Sequence, residues 1–292
     1  MTTVPAKIIE KLLLTFLVLA LVSACEKKTG IVDRANIQLE EVQYLKIYGS
    51  FCDVEVIGTD DSTIEIVGEI QGQVAEGSYQ IMHKVLAETA KVWIDEPVTK
   101  LKAVVGKITV KIPRNARVKI TNENGDVYVS DMAGEKVKIK TTSGDVVVEK
   151  IETYVQIKSQ SGDLKVNELT GPLKIKSESG DQLLINITGD IKSSSASGDV
   201  SLTNIEGELD IQSTSGDLKG QSITLTNHSD FETTSGDIKF RLKNPVENLE
   251  FKLHSNTGDI TVGDILGGRD FEQPTGGLRV TATSDAGDQS FQ

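Results

Sequence analysis

Beyond residue 125 the chain alternates short runs in which every second residue is apolar with turns marked by Gly-Asp. In SGDVVVEKIETYVQIKSQ (143–160) the apolar set is Val146, Val148, Ile151, Val155 and Ile157. The next unit, SGDLKVNELTGPLKIKSE, puts Leu164, Val166, Leu169, Leu173 and Ile175 in the same five slots, and SGDVSLTNIEGELDIQST puts Val200, Leu202, Ile205, Leu209 and Ile211 there. Each unit therefore predicts two short strands of period two, with one apolar face and one face of Lys, Ser, Thr, Gln, Asp or Glu. A second turn separates them, often at Gly171, Gly189 or Gly207.

Eight Gly-Asp turns recur, at Gly125, Gly144, Gly162, Gly180, Gly198, Gly216, Gly236 and Gly258, in steps of 19, 18, 18, 18, 18, 20 and 22 residues. A fixed period with a turn signal means that each repeat is one structural unit stacked on copies of itself. A parallel solenoid and an antiparallel meander of hairpins both fit the strand pattern. Coils of a solenoid must match the perimeter of their neighbours, whereas hairpins can change length independently, so four consecutive steps of 18 favour the solenoid. One coil cannot offset the entropy of ordering its own backbone, so several coils and capped ends are required.

Residues 39–112 read as irregular strands: QYLKIYGS, CDVEVIG, TIEIVGEI, KVWIDE and KITVKIP. Ile81, Val85 and Leu86 in YQIMHKVLAETA fall at helical spacing, which predicts a loop or short helix. Trp93 is expected as a core aromatic over the first coil, because no second aromatic lies near it in sequence. The Gly-, Ser-, Thr- and Asp-rich tail from Gln273 to Gln292 is expected as a frayed end or a polar edge strand.

At the front, Lys7 and Lys11 precede the apolar run LLLTFLVLAL and then Val22-Ser23-Ala24-Cys25. The run is too short to span a bilayer comfortably and ends in small residues, the pattern of an export signal. VSAC resembles the lipobox of bacterial lipoproteins, which implies Cys25 as the lipidation site and new N-terminus. Glu26 lacks the Asp that favours inner-membrane retention in enterobacterial lipoproteins, so an outer membrane is favoured where the organism has one. The boundaries are a signal peptide (1–24), a lipid-anchor linker (25–38), a strand-rich N-terminal section (39–112), the solenoid (113–270) and a polar tail (271–292).

The formal charge is −12, and loss of residues 1–24, which carry net +1, makes it −13. Such a field repels phosphate backbones and anionic headgroups, so no nucleic-acid partner is expected. With Cys25 acylated, Cys52 has no partner for an internal disulfide and reads as a small buried apolar residue.

Candidate chemistry is sparse. One Asp per 18 residues, without a GGxG element, falls short of the ligand count that calcium needs, so the repeated Asp is read as bonding backbone N–H groups within its turn. His83, His228 and His254 have no metal spacing, and no Ser-His-Asp or Cys-His arrangement can be assigned. Arg114, Arg117, Arg241, Arg269 and Arg279 do not cluster as a polysaccharide lyase requires. The expectation is no enzyme, no catalytic residue, no metal and no cofactor.

ITVKIPRNARVKITNENGDVYVS (108–130), followed by TTSGDVVV, SGDLKV, SASGDVSL, TSGDLK and TTSGDIKF, resembles the toastrack family of bacterial envelope proteins, whose members carry the label "putative adhesin". The resemblance covers most of residues 39–270. It implies an all-β, parallel β-solenoid of about eight coils with an irregular strand-rich N-terminal section, in an extracytoplasmic setting, with no catalytic residues to carry over. The resulting expectation is a lipid-anchored, non-catalytic binding, adhesion-like or structural module of the cell envelope. Its partners would be the membrane, through the N-terminal lipid, and an envelope protein or surface ligand. The alternatives are an accessory of an envelope-sensing system that reports to a membrane partner and, third, a polysaccharide-active β-helix enzyme.

Overall fold

The computed structural model describes residues 29–99 and 104–292. Two long sheets, of fourteen and thirteen strands, enclose a single apolar core. The strand before each Gly-Asp turn enters the thirteen-stranded sheet and the strand after it enters the fourteen-stranded one. Val146–Ile151 pairs in parallel with Leu164–Thr170 on one side and Val127–Ser130 on the other. Tyr154–Ser159 pairs in parallel with Leu173–Ser177 and Lys136–Thr141. The two strands of one repeat thus lie in different sheets, and the molecule is a parallel β-solenoid rather than a meander.

The register is the column alignment read from the sequence. Ile157 lies opposite Ile175, Ile175 opposite Ser193, and Ser193 opposite Ile211, all buried. At the gap in this column, the Ser193 hydroxyl donates to Oε1 of Gln182, which itself occupies an inward slot between Leu164 and Val200. The bond engages the Ser193 hydroxyl and the Gln182 carbonyl, while Nε2 of Gln182 is buried without a hydrogen-bond partner.

The spacing of three between Val148 and Ile151 has a backbone cause. Lys150, Glu168, Asn186, Asn204 and Ser222 all take positive φ, between 53° and 60°, at one column of the fourteen-stranded sheet. A single left-handed residue there turns the next side chain back inward, so Ile151, Leu169, Ile187, Ile205 and Ile223 are buried. At the Gly-Asp turns, Gly162 combines φ +107° with close stacking. A Cβ on it would lie 2.2 Å from the carbonyl oxygen of Gly144, so the turns can stack only with glycine there.

The stack holds eleven coils among the described residues, because three join the eight that carry the Gly-Asp turns counted in the sequence. Tyr44–Ser50 with Asp53–Thr59 forms one, lying against Arg117–Asn122 and Val127–Ser130. Thr89–Asp95 with Val104–Pro113 forms the next outward. The third comes from the tail. Arg279–Ala286 lies between Ser229–Ser235 and Glu250–Ser255, while Gln289–Phe291 lies between Ile238–Leu242 and Ile260–Val262. The tail is therefore neither frayed nor an edge. Val280, Ala282 and Phe291 are fully buried, and Phe291 sits 5.4 Å from Phe251 and 6.0 Å from both Phe231 and Phe240, centroid to centroid. Its signal is a ninth Gly-Asp turn leading from the thirteen-stranded to the fourteen-stranded sheet, Gly287-Asp288, hidden by its distance of 29 residues from Gly258.

Antiparallel strands close the ends. Gly30–Leu39 and Ile64–Gly72 extend one sheet beyond Val104–Pro113, and Ile265–Gly268 and Asp270–Gln273 finish the other end. The segment expected as loop or short helix is the strand Gln80–Leu86, hairpinned onto Thr89–Asp95. Helical spacing misled here because the strand overhangs the stack: past Ile81 both of its faces are exposed, so no period-two burial constrains its residues.

Candidate binding faces

One edge of the stack carries the repeated aspartates. In spatial order they run Asp53, Asp126, Asp145, Asp163, Asp181, Asp199, Asp217, Asp237, Asp288, Asp259. Each Oδ1 accepts the backbone N–H of the next Asp at 2.9–3.0 Å. This differs from the expectation that each carboxylate bonds N–H groups within its own turn. In the stack the amide of the adjacent coil, about 4.8 Å away, is the one in reach, so the bond links coils. The neighbouring serines do the work inside the turn and bond carbonyls rather than N–H groups: Ser159, Ser177 and Ser195 each donate to the carbonyl two residues on, at 3.0–3.1 Å.

Lysines relieve part of the ladder's repulsion. Lys219 bridges Asp199 and Asp217 at 3.2 and 2.9 Å, and Lys239 pairs with Asp237 at 2.6 Å. The Lys219 ammonium, and then the amide of Asp237, hold the Asp217 carboxyl below the usual carboxylate range; Lys239 and the amide of Asp288 do the same for Asp237. Groups lowered in this way stabilise the fold above the ordinary carboxylate pKa, and that contribution is lost as pH falls through the depressed values. Among the described residues no group of three His, Cys, Asp or Glu side chains is placed to hold a metal ion.

The other candidate groups do not converge. His83 is exposed on the overhanging strand, Nδ1 of His228 accepts the N–H of Arg279, and His254 contacts Asp270 at 2.7 Å at the far end of the stack. Cys52 is a buried free thiol, pushed up to about 12 chiefly by burial and then by Asp53 and Glu96, which makes it a core residue rather than a nucleophile. Cys25 lies outside the described residues.

The two outer faces differ in charge. On the fourteen-stranded sheet lysines stand beside carboxylates: Lys107 with Glu55, Lys111 with Glu65, and Lys165 with Glu149, at 2.8–3.1 Å. On the thirteen-stranded sheet the register lines up Lys84, Lys91, Lys46, Lys119 and Lys138 on five adjacent strands, and Lys174 and Lys192 continue that row beyond Gln156. A parallel row holds Lys140, Lys158 and Lys176. Among the described residues, ion pairs on this face lie at Arg117 with Glu135 and Lys192 with Asp210, and at its far end Arg279 pairs with Glu250 at 2.7 Å and His254 meets Asp270. Burial, followed by the charges of Lys138 and Arg117, pushes the Lys136 ammonium below its ordinary value, as crowded cations require. Charge along this sheet is thus segregated, which the net value of −12 conceals.

Trp93 belongs to this face and not to the core. It is half-buried, directly opposite Tyr48, and the ammonium of Lys91 lies 4.9 Å from the Tyr48 ring and 4.8 Å from the Trp93 ring. Lys46 and Arg117 lie 4.7 and 5.3 Å from the Tyr44 ring. Trp93 is 45 residues from Tyr48 in the chain, so only strand pairing brings the two rings together.

A family model, Toastrack DUF4097, matches residues 98–193 and 188–275, which is more than half of the chain. The chain belongs to the Toastrack family. Nothing among the curated proteins matches it. Of solved structures, this Toastrack chain is similar to a "putative adhesin" from Bacteroides fragilis (14% identity, TM-score 0.48, 91% of this chain and 98% of that one). It is similar also to a "putative lipid binding protein" from Parabacteroides distasonis (10%, TM-score 0.41, 89% and 97%). A third is a "putative cell adhesion protein" from Clostridium sporogenes (11%, TM-score 0.31, 90% and 99%).

Proposed function

We propose that this Toastrack protein is a non-catalytic binding module of the bacterial cell envelope, extracytoplasmic and held at a membrane through a lipid on Cys25. The observation that carries the reading is the form of its surface. Two long sheet faces repeat the same side-chain positions coil after coil, and among the described residues the histidines and Cys52 do not meet. Such a face recognises an extended partner by many weak, regularly spaced contacts. The partner is an envelope protein or a surface ligand, with no nucleic acid and no cofactor involved. Lipidation follows from VSAC behind the apolar run, since two or more acyl chains hold a domain at a bilayer without a spanning helix. Glu26 favours the outer membrane where there is one.

Intact-mass analysis of protein extracted from membranes is expected to give an N-terminus at Cys25 with added acyl mass, and Cys25→Ser is expected to release the protein from the membrane fraction. An unmodified N-terminus at another residue contradicts the anchor. Crosslinking in intact cells, followed by identification of the captured chain, tests the binding role.

A further inference from the structure

The end of the stack that carries the N-terminus gathers features of three kinds. The first is charge: Lys84, Lys91, Lys46 and Lys119 stand on four adjacent strands, about 4.8 Å apart, with no carboxylate partner among the described residues. The second is aromatic and apolar surface beside that row. Trp93 and Tyr48 flank it on one side together with Met82, and Tyr44 flanks it on the other with Leu86, on the same outward face of their strands. Leu86 is 74% exposed on the overhanging strand, and Met82 is exposed beside it. The third is the chain's entry point. Gly30 begins the strand whose Asp33 carboxylate accepts the N–H of Ile81 at 2.7 Å, so the first described strand is tied to the overhanging one.

Five residue steps separate Cys25 from Gly30, a reach of at most about 18 Å even fully extended. An anchor at Cys25 therefore brings this corner, and not the acidic far end with Asp230, Glu232, Asp270 and Glu272, against the bilayer. Unpaired lysines above headgroups, Trp and Tyr at the level of the interface and a projecting aliphatic side chain are the composition of an interfacial membrane contact.

We propose that this corner is a membrane-docking surface that seats the solenoid on an anionic bilayer. The lysine row faces the headgroups, Trp93, Tyr48 and Tyr44 lie at the interface, and Leu86 and Met82 enter it. The inference rests on the envelope reading for the presence of a membrane; the anchor at Cys25 adds the orientation, while the affinity of the corner for a bilayer rests on its own lysines, rings and aliphatic side chains. The seat fixes how the module stands: the basic corner faces the membrane and the rest of both sheets is left for the partner. The net charge of −13 of the mature chain would have excluded anionic lipid, and the segregation of lysines to one face removes that objection locally.

The test uses residues 25–292, which contain every described strand, carrying Cys25→Ser and no lipid. Trp93 is the only tryptophan, so its emission reports on this corner alone. With vesicles of mixed phosphatidylglycerol and phosphatidylcholine, the protein is expected to co-sediment and its emission to shift to the blue. Both effects should fade at high salt and be absent with phosphatidylcholine alone. Replacing Lys46, Lys84, Lys91 and Lys119 together by Gln is expected to lower vesicle partitioning at least about tenfold. The same change at Lys158, Lys174 and Lys176 should lower it far less, with circular dichroism melts confirming that both variants fold. Leu86→Ser tests the apolar part and should weaken partitioning while keeping its salt dependence. Absence of binding to anionic vesicles, equal binding to neutral ones, binding without a change at Trp93, or binding to a soluble polyanion but not to vesicles would each overturn the proposal. Because the lipid is omitted, none of these outcomes depends on whether Cys25 is acylated, which the mass of the cellular protein decides.

Discussion

Replacing Ile175 with Asp is expected to lower the stability of the whole stack by several kcal/mol, while replacing Lys174 with Ala leaves it almost unchanged. The two residues are neighbours in the strand Leu173–Ser177, but Ile175 is 1% exposed and Lys174 points to solvent. Ile175 fills the core between Ile157 and Ser193. A carboxylate there has no cation to meet, because Ile175 lies within the buried apolar cluster between the sheets. It must either stay charged in an apolar interior or take up a proton, and both cost free energy. Since each coil is held only by its neighbours, the damage spreads to the coils on both sides. Denaturant unfolding of the two variants decides the matter, and equal small effects would mean that inward and outward columns were wrongly assigned.

Removal of residues 278–292 is expected to be more damaging still, although they are the last in the chain. A frayed end can be lost at little cost. This one supplies a coil inside the stack. Its loss would leave Ser229–Ser235 and Glu250–Ser255 without a common neighbour and open the ladder between Asp237 and Asp259. It would also uncover Phe231, Phe240 and Phe251, which pack with Phe291. Phe291→Ala alone should cost about 3–5 kcal/mol. The truncated chain is expected to lose its last coils and to aggregate through the unpaired strand ends. Thermal melts and size-exclusion profiles measure both variants; a truncated chain as stable and monodisperse as the full one would contradict the inserted coil.

The regular part of the fold was legible in the sequence because a solenoid writes its geometry as a column of like residues. The match of Ile157, Ile175 and Ile211 around the gap at Ser193 gave sheet, face and register together. Local pattern failed wherever the neighbour in space is not the neighbour in chain order. Nothing near Gly287-Asp288 marks it as lying between Asp237 and Asp259. Its nearest sequence clue is indirect: Gly220 follows Val166, Leu184 and Leu202 in its column, the next rung is Phe240, and the room the glycine leaves is taken by that ring, part of the phenylalanine cluster that the tail completes. The overhanging strand Gln80–Leu86 failed for a different reason, since a strand without a covered face shows no alternation. The basic corner was hidden for a third. Tyr44, Tyr48 and Trp93 lie on two strands 45 residues apart, and the lysines beside them are spread from Lys46 to Lys138, so net charge and local composition both average them away. The expectation for Cys25 rests on the VSAC resemblance alone and falls outside the described residues.

The most direct test of the stack is the neighbour order at its carboxyl end, because chain order and spatial order disagree there. Thr283 lies opposite Glu232 on one side and His254 on the other, on the exposed face of all three strands. Adjacent strands bring such residues to about 4.8 Å, within the range of a disulfide, and residues two rungs apart to about twice that, beyond it. In full-length protein lacking Cys25 and Cys52, paired cysteines at 232 and 283, and at 283 and 254, are expected to crosslink on mild oxidation, while cysteines at 232 and 254 stay reduced. Crosslinking of 232 to 254, with 283 joined to neither, would contradict the account.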